Sequence, residues 1–225
     1  FRLGDRDLAT HLTRTQLLAG GQTLTQITRH LCTRLGVAVN LLPMSDSRVR
    51  TVIESDLGPL DFQDYFVRRR AEPRVHAIRY DGATQAPPSA AIASLLTDPD
   101  LAAIFVAPSN PWLSIDPILA IPSLAAALRS SAAPVVAVSP IVGGRALKGP
   151  TAKIMDELGV PVTAGAIAHH YRDLLDGFIL DEADRAEADA LIADGLAVAA
   201  THTVMTTLED RIHLAKFALG FAAPR

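Results

Sequence analysis

The sequence is poor in cysteine, and this shortage excludes one broad class of protein. Among 225 residues there is a single cysteine, Cys32. One cysteine cannot form an internal disulfide, so the chain is not a small extracellular scaffold held together by disulfides. A reducing, cytoplasmic environment is therefore expected.

The sequence also lacks an excess of basic residues and lacks long apolar runs. Lysine and arginine number 21 against 24 acidic residues, which gives a formal net charge of -3. Binding to duplex nucleic acid needs a basic surface, so we expect no nucleic-acid partner. No run approaches the roughly 18 apolar residues of a membrane-spanning helix, and the opening FRLGDRD has no apolar core of a secretion signal. We expect no membrane partner.

Several catalytic motifs are missing as well. The chain contains no G-x-S-x-G, no H-E-x-x-H and no C-x-x-C. Mechanisms based on a serine nucleophile elbow or on zinc therefore have no support. His169 and His170 are adjacent, and neighbouring side chains on a helix point about 100° apart, so the pair is a poor chelate by itself.

The first third of the chain divides into helical and strand-like segments. Residues 7–19 and 23–35 have helical patterns, separated by Gly20-Gly21, with Thr23 as the predicted cap of the second helix. Residues 38–80 are predicted to be a strand-rich sub-region, with strands in AVNLLPM, RVRTVIES and RVHAIRYDG. The intervening DFQDYFVRRRAEP is ambiguous. A solvated strand end is the simplest explanation of its three arginines, and an anion-facing surface is the alternative.

From residue 88 onward, apolar strands alternate with helical segments. LAAIFVAPSNP, with a buried strand ending at Ala107, and APVVAVSPIVGG, LLDGFILDE and LAVAATH are predicted strands, and helical patterns stand between them. Wholly apolar strands of this kind are typical of a parallel sheet covered on both faces. We predict a single α/β domain over residues 1–225, with a Rossmann-like, mostly parallel sheet between helices and a smaller insertion of strands and helices.

Two predicted strands end in polar residues, where a doubly wound sheet binds its ligand. Ser109 and Asn110 follow the strand that ends at Ala107, although a plain turn is the alternative. The second stretch, SPIVGGRALKGPTAKI, places Gly143, Gly144, Lys148 and Gly149 before a helix. Glycine loops at helix starts expose N–H groups to anions. Pro150 stands where a P-loop has its lysine, so this is a phosphate-loop candidate but not a Walker motif.

Two acidic clusters remain. The acids of LDEADRAEAD, from Asp181 to Asp189, are predicted to be a solvated helix start. The opening GDRDLATH precedes a helix that Asp5 or Asp7 can cap, which would put Thr10 and His11 in its first turn if Asp7 is the cap. Such a helix start suits a phosphate or a metal-bound phosphate.

Several motifs occur together in the order and spacing of one family. The chain resembles the 2-phospho-L-lactate transferases, the CofD-type enzymes of coenzyme F-420 biosynthesis, from residue 1 to about residue 220. The motifs that carry the resemblance are LGDRDLATH, LLPMSD, DFQDYFV, APSNPWLSIDPILAIP, AVSPIVGGRALKGP and LLDGFILDEADRAEAD.

The resemblance implies an activity. Family members transfer a phospholactyl or phosphoenolpyruvyl group from a GDP-linked donor to the deazaflavin precursor Fo and release GMP, with Mg²⁺ as cofactor. They are α/β proteins with a Rossmann-like core and are usually homodimers. The sequence does not distinguish a lactate, enolpyruvate or glycerate donor. A non-catalytic nucleotide- or deazaflavin-binding protein of the same fold is the alternative.

The resemblance also implies site residues. Arg2 stands where the family commonly has a lysine that contacts Fo, and with Thr10 it is expected on the acceptor side. Asp5, Asp7 and His11 are the candidate catalytic bases, and the residues alone do not choose among them. In the family a strand, a glycine-rich loop and an aspartate-rich segment precede LGDRD. We therefore expect this chain to be an N-terminally truncated member, with the metal ligands in that segment.

Overall fold

A helix pair opens the part of the chain that the computed structural model describes, residues 3–223. Helix α1 spans Asp5–Ala19 and helix α2 spans Leu24–Leu35. The predicted cap of α2 is confirmed, because the Thr23 hydroxyl accepts a hydrogen bond from the Gln26 N–H at 3.2 Å.

The prediction that Asp5 or Asp7 caps α1 is wrong. Gly4 is the N-cap, and the Asp7 carboxylate reaches back from the third helical position to the Gly4 N–H at 3.3 Å. Helix α1 therefore begins earlier than predicted, and Thr10 and His11 lie in its second turn. Asp7 still stabilises the start of the helix, but as the third helical residue, whose carboxylate accepts from the N–H of the N-cap residue.

A three-stranded antiparallel sheet follows. Strands β1 (Arg50–Ser55), β2 (Gly58–Asp61) and β3 (Val75–Asp81) are arranged in the order β2-β1-β3. The strand predicted in AVNLLPM is wrong, because residues 38–44 are an irregular connection. Val39 and Leu41, which suggested a buried face, are 73% and 61% exposed.

The arginine run lies at the end of a helical turn and not of a strand. A π-helical turn spans Asp64–Arg68, and the Arg69 Nε donates to Asp64 Oδ2 at 2.9 Å. The buried Tyr65 fixes this turn in the core, and the Ala71 N–H closes it on the Tyr65 carbonyl at 2.9 Å. Within the arginine run, Arg69 is therefore held by its contact with Asp64 and is not simply a solvated charge.

The second half of the described chain forms a parallel sheet between helices. Its four strands, β4 (Ile104–Val106), β5 (Val135–Val138), β8 (Gly177–Asp181) and β9 (Ala197–Thr201), are all parallel and lie in the order β4-β5-β8-β9. The elements in chain order are α3 (Ala90–Leu96), β4 (Ile104–Val106), a π-helical turn (Pro111–Ile115), α4 (Asp116–Leu119), α5 (Pro122–Arg129), β5 (Val135–Val138), β6 (Ile141–Val142), β7 (Arg145–Ala146), α6 (Thr151–Glu157), α7 (Ala164–His170), β8 (Gly177–Asp181), α8 (Ala188–Ala193), β9 (Ala197–Thr201) and α9 (Leu208–Ala222).

Side chains of the central strands alternate between two apolar layers. Val135 and Phe178 pack into the cluster that holds α6 and α7, whereas Val136 and Ile179 pack against α9. Helices thus cover both faces, and the predicted α/β fold with a Rossmann-like parallel sheet is confirmed. Residues of the antiparallel sheet, Ile53 among them, share the first cluster.

Strand β4 differs from the prediction of a buried strand ending at Ala107. It ends at Val106, and its central residue, Phe105, is 39% exposed. Within residues 3–223 it pairs only with β5, so it forms the edge of the sheet. An edge strand is covered less completely than a central one, which explains the exposed ring.

In the described part of the chain no single helix is long and apolar enough to cross a membrane. One bent pair of helices, Pro111–Leu119 with Pro122–Arg129, reaches the length and apolar composition of a membrane span when the two are taken together; this rests on length and composition only.

Gly58 and Gly82, at the antiparallel sheet, have the same backbone angle but different surroundings. Substituting each with alanine tests whether the close backbone approach at Gly82 affects stability. Gly82 and Gly58 both have φ of +86°, but a Cβ on Gly82 would lie 2.5 Å from the Arg48 carbonyl oxygen, and one on Gly58 would meet nothing within 4 Å. Gly58→Ala should cost about 1–2 kcal/mol of unfolding free energy from left-handed strain. Gly82→Ala should cost at least about 1 kcal/mol more, because the backbone must move. Urea unfolding measures both, and equal losses would contradict the close approach.

Candidate functional site

The carboxyl ends of the parallel strands enclose a cavity of about 430 Å³. Ser109 follows β4, Ser139 follows β5 and Thr203 follows β9, which brings three separate chain segments to one edge. Crevices at this edge are the usual ligand sites of open parallel sheets. The walls are formed by Phe62, Phe66, Pro108, Ser109, Asn110, Leu113, Ser114, Ser139, Pro140, Val142, Leu147, Lys148, Gly149, Pro150, Thr151, Thr203 and Met205.

The polar part of this cavity is cationic and rich in hydroxyl groups. Lys148 lines it and makes no ion pair with any residue in the described range 3–223. The hydroxyl-bearing residues Ser109, Ser114 and Thr151 line it as well, and among the described residues no acidic side chain does. A cation and neutral hydroxyls without a nearby carboxylate favour an anionic ligand.

Four of the predicted binding residues meet in this cavity. Ser109, Asn110, Lys148 and Gly149 all contribute to its wall. Asn110 also has the local role that was the alternative, since its Oδ1 accepts from the Leu113 N–H at 2.9 Å and caps the π-helical turn. Asn110 thus fixes the backbone that carries Leu113 and Ser114 along the cavity.

Gly143 and Gly144 are not part of the cavity wall. They form the turn between β6 and β7, with φ of +56° and +70°. The Gly143 N–H donates to both carboxylate oxygens of Asp184 at 3.0 Å. That donor is therefore already used, and only the later half of the predicted loop reaches the cavity.

The acids after β8 correct a second expectation. Asp181 and Asp184 were predicted to be solvated, but each is only 6% exposed. Asp181 accepts from the Thr203 N–H at 2.8 Å, from the Thr203 hydroxyl at 3.0 Å and from the Ala183 N–H at 3.1 Å. These carboxylates bind backbone donors of neighbouring loops instead of water. They therefore hold the loops around the cavity in place without lining the cavity themselves.

The electrostatics of Asp181 follow from these contacts. Burial alone would raise its pKa, but hydrogen bonds from Thr203 and Ala183 oppose burial and hold the pKa below its ordinary value. The carboxylate stays ionised at neutral pH and continues to position Thr203, a residue of the cavity wall.

The predicted acceptor-side residues lie on a different element. Asp5, Asp7 and His11 are exposed on α1, and the Thr10 hydroxyl donates to the Arg6 carbonyl oxygen at 2.9 Å. None of the four lines the cavity. Arg2 lies outside the described residues. The predicted roles of these five residues stay predictions.

The adjacent histidines have separate partners. His169 Nε2 lies 3.0 Å from Asp194 Oδ2, and His170 Nε2 lies 2.9 Å from Asp116 Oδ1. Between residues 3 and 223 no three side chains of His, Cys, Asp or Glu gather to hold a metal ion.

Comparison with known proteins identifies the family. The sequence model of the family described as 2-phospho-L-lactate transferase CofD matches residues 1–208. This chain belongs to the CofD family. The family is one of transferases, and its match extends over every strand that borders the cavity.

Two relatives of this CofD-family chain are named after different transferred groups. It is 41% identical to a phosphoenolpyruvate transferase of Kitasatospora aureofaciens over 227 residues, covering 99% of the chain and 70% of the relative. It is 36% identical to a 2-phospho-L-lactate transferase of Methanosarcina acetivorans over 220 residues, covering 98% and 70%. A solved UPF0052-family protein from Bacillus halodurans covers 92% of this chain, and the chain covers 70% of it, with a TM-score of 0.58 and 14% identity, which shows the shared fold alone.

Part of the cavity wall of this CofD-family chain was not predicted from the sequence. Phe62, Phe66, Ser114 and Thr151 were not predicted as site residues, yet all line it. The signals were present as a cluster of aromatics in DFQDYFV and as a threonine directly after Gly149-Pro150. What the sequence could not provide was the packing of the aromatic segment against the carboxyl edge of a sheet formed much later in the chain.

The ionised state of Asp181 predicts a dependence of stability on pH. A lowered pKa in the folded state stabilises the fold above the unfolded pKa of about 4, and this contribution is lost as pH falls through the folded pKa. Asp181→Asn should therefore be less stable than the wild type at pH 7, and the difference should shrink below about pH 4. Urea unfolding across this range measures it. The exposed Asp189→Asn is the control, and a gap between Asp181→Asn and wild type that stays constant with pH would contradict the assignment.

Proposed function

We propose that this protein transfers a phospholactyl or phosphoenolpyruvyl group from a GDP-linked donor to the deazaflavin precursor Fo in coenzyme F-420 biosynthesis. In this reaction a hydroxyl oxygen of Fo forms a bond to the phosphorus atom of the transferred group. The phosphoanhydride bond to GMP breaks, and the hydroxyl proton passes to a base. The proposal includes a cytoplasmic homodimer.

One observation carries the proposal. In a chain of the CofD family, the cavity at the carboxyl edge of the parallel sheet presents Lys148 and the hydroxyls of Ser109, Ser114 and Thr151, and no carboxylate. Phosphoryl-type transfer depends mainly on positioning and on neutralising charge, and donors of this kind do both. An acid-free wall also avoids repelling a diphosphate.

The residues divide this task by position. Lys148 brings a full positive charge to the cavity, while the hydroxyls of Ser109 and Thr151 donate to phosphate oxygens from two different elements. Thr203 lines the same space with its hydroxyl already bound to Asp181. It therefore shapes the wall and leaves the contacts with phosphate to the free hydroxyls.

Magnesium stays a prediction of the family resemblance. Across residues 3–223 no cluster of three potential ligands exists, and the buried carboxylates Asp181 and Asp184 are occupied by backbone N–H groups. The described residues do not fit a magnesium site of their own.

The alternative is a protein that binds a nucleotide or a deazaflavin without turnover. The absence of a carboxylate from the cavity wall favours it, because no base lies beside the hydroxyls there. Release of GMP from the GDP-linked donor in the presence of Fo distinguishes the two. Binding of GDP and Fo without GMP release would support the alternative.

Lys148 provides the sharpest test of the nucleotide site. Lys148→Ala should weaken GDP binding about 5- to 150-fold, or about 1–3 kcal/mol, because a charge-assisted hydrogen bond is lost. Arg145→Ala is the matched control, since Arg145 is an exposed cation of the same hairpin region that does not line the cavity. Titration calorimetry measures both. Equal effects of the two variants would show a general charge effect and remove Lys148 from the site.

The α1 cluster needs its own test because the cavity does not include it. If Asp7 acts as the base, Asp7→Asn should lower the rate of GMP release about 100-fold or more. Thermal unfolding should barely change, since an asparagine oxygen still accepts from the Gly4 N–H. Asp5→Asn reports independently on the other acid of the first turn. Near-normal turnover in both variants would exclude both acids as the base.

A further inference from the structure

Two phenylalanines form an aromatic wall on one side of the cavity. The rings of Phe62 and Phe66 are stacked, with centroids 5.4 Å apart and planes inclined by 13°. Both residues line the cavity together with Lys148 and the free hydroxyls. The cavity wall therefore combines two aromatic rings with a cation and hydroxyl-bearing residues.

The two phenylalanines have different environments. Phe62 packs against the main apolar cluster, whereas Phe66 is 39% exposed. Core packing thus explains Phe62 and leaves part of Phe66 in contact with solvent. The exposed part of the Phe66 ring lies in the wall of a cavity, so it offers apolar surface that a ligand in the cavity can cover.

The aromatic wall is held rigidly. Tyr65, between the two phenylalanines, is fully buried, and its carbonyl closes the π-helical turn through the Ala71 N–H at 2.9 Å. The Arg69–Asp64 ion pair at 2.9 Å ties the same turn together. A fixed aromatic surface loses little conformational entropy when a flat ligand stacks on it.

We infer that Phe66, supported by Phe62, stacks against the planar ring of a ligand whose phosphate end lies toward Lys148. This inference rests on the proposed function and adds a recognition residue to it. The shared chemistry is a planar heteroaromatic ring on a phosphate-bearing or hydroxyl-bearing chain. Two ligands of the proposed reaction have such a ring, the guanine of GDP and the deazaflavin of Fo.

The experiment compares ring-bearing and ringless ligands on matched variants. Binding of GDP, Fo and inorganic pyrophosphate is measured by titration calorimetry on wild type, Phe66→Leu, Phe66→Tyr and Phe105→Leu. Phe105 is the control because it is also 39% exposed but lies on β4, away from the cavity wall. Phe66→Leu should lose about 5- to 100-fold in affinity for the ligand whose ring occupies the wall. Phe66→Tyr and Phe105→Leu should stay within about twofold of wild type.

The three ligands separate the possible outcomes. A loss for GDP alone assigns the wall to guanine, and a loss for Fo alone assigns it to the deazaflavin. Pyrophosphate binding should be unchanged by Phe66→Leu, which also shows that the variant is folded. Unchanged affinity for both ring-bearing ligands in Phe66→Leu would overturn the inference and leave the proposed function intact. If the wild type binds neither GDP nor Fo, the proposed function fails and the inference fails with it.

Discussion

Burial of two central strands on both faces is the constraint on which the rest of this structure depends. Every residue of β5 and β8 is buried, and the one polar side chain in these two strands, Asp181, stands at the last position of β8, where hydrogen bonds satisfy its carboxylate. Polar groups are forced to the strand ends. Asp176 secures the amino end, where its carboxylate accepts from the Val135 N–H at 2.8 Å. The cavity at the carboxyl end is thus a consequence of an apolar sheet interior.

The acidic run after β8 serves this arrangement by holding three loops in place. Asp181 binds Thr203, Asp184 binds the Gly143 N–H, and Glu187 Oε2 accepts from the Gly165 N–H at 2.6 Å. Each carboxylate satisfies a backbone donor that would otherwise be costly to leave unpaired. None of these three carboxylates lines the cavity, whose wall carries the positive charge of Lys148.

Local pattern was sufficient to predict the features that depend on burial, and insufficient for those that depend on distant partners. The apolar runs of β5 and β8 predicted the parallel sheet, and polar residues at strand ends predicted Ser109 and Lys148 in the cavity wall. Asp184 was misjudged because its partner, Gly143, is 41 residues away. Val39 misled the strand prediction for residues 38–44 because an apolar pattern does not reveal whether a partner strand is present.

The two sides of the cavity are coupled through helix α6. The helix begins at Thr151, which lines the cavity, and two of its later residues hold the segment that leads into β3. Lys153 Nζ donates to the Pro73 carbonyl oxygen at 2.8 Å, and Glu157 Oε2 accepts from the Val75 N–H at 3.0 Å. The Lys153–Glu157 pair, at 2.6 Å, joins these two contacts. Tyr65, in the turn that carries the aromatic wall, packs in the same cluster as Ile154 of α6. One short helix therefore links Thr151 of the cavity wall to the segment before β3 and to the turn that carries Phe66, so the antiparallel sheet and the parallel sheet contribute to the same cavity.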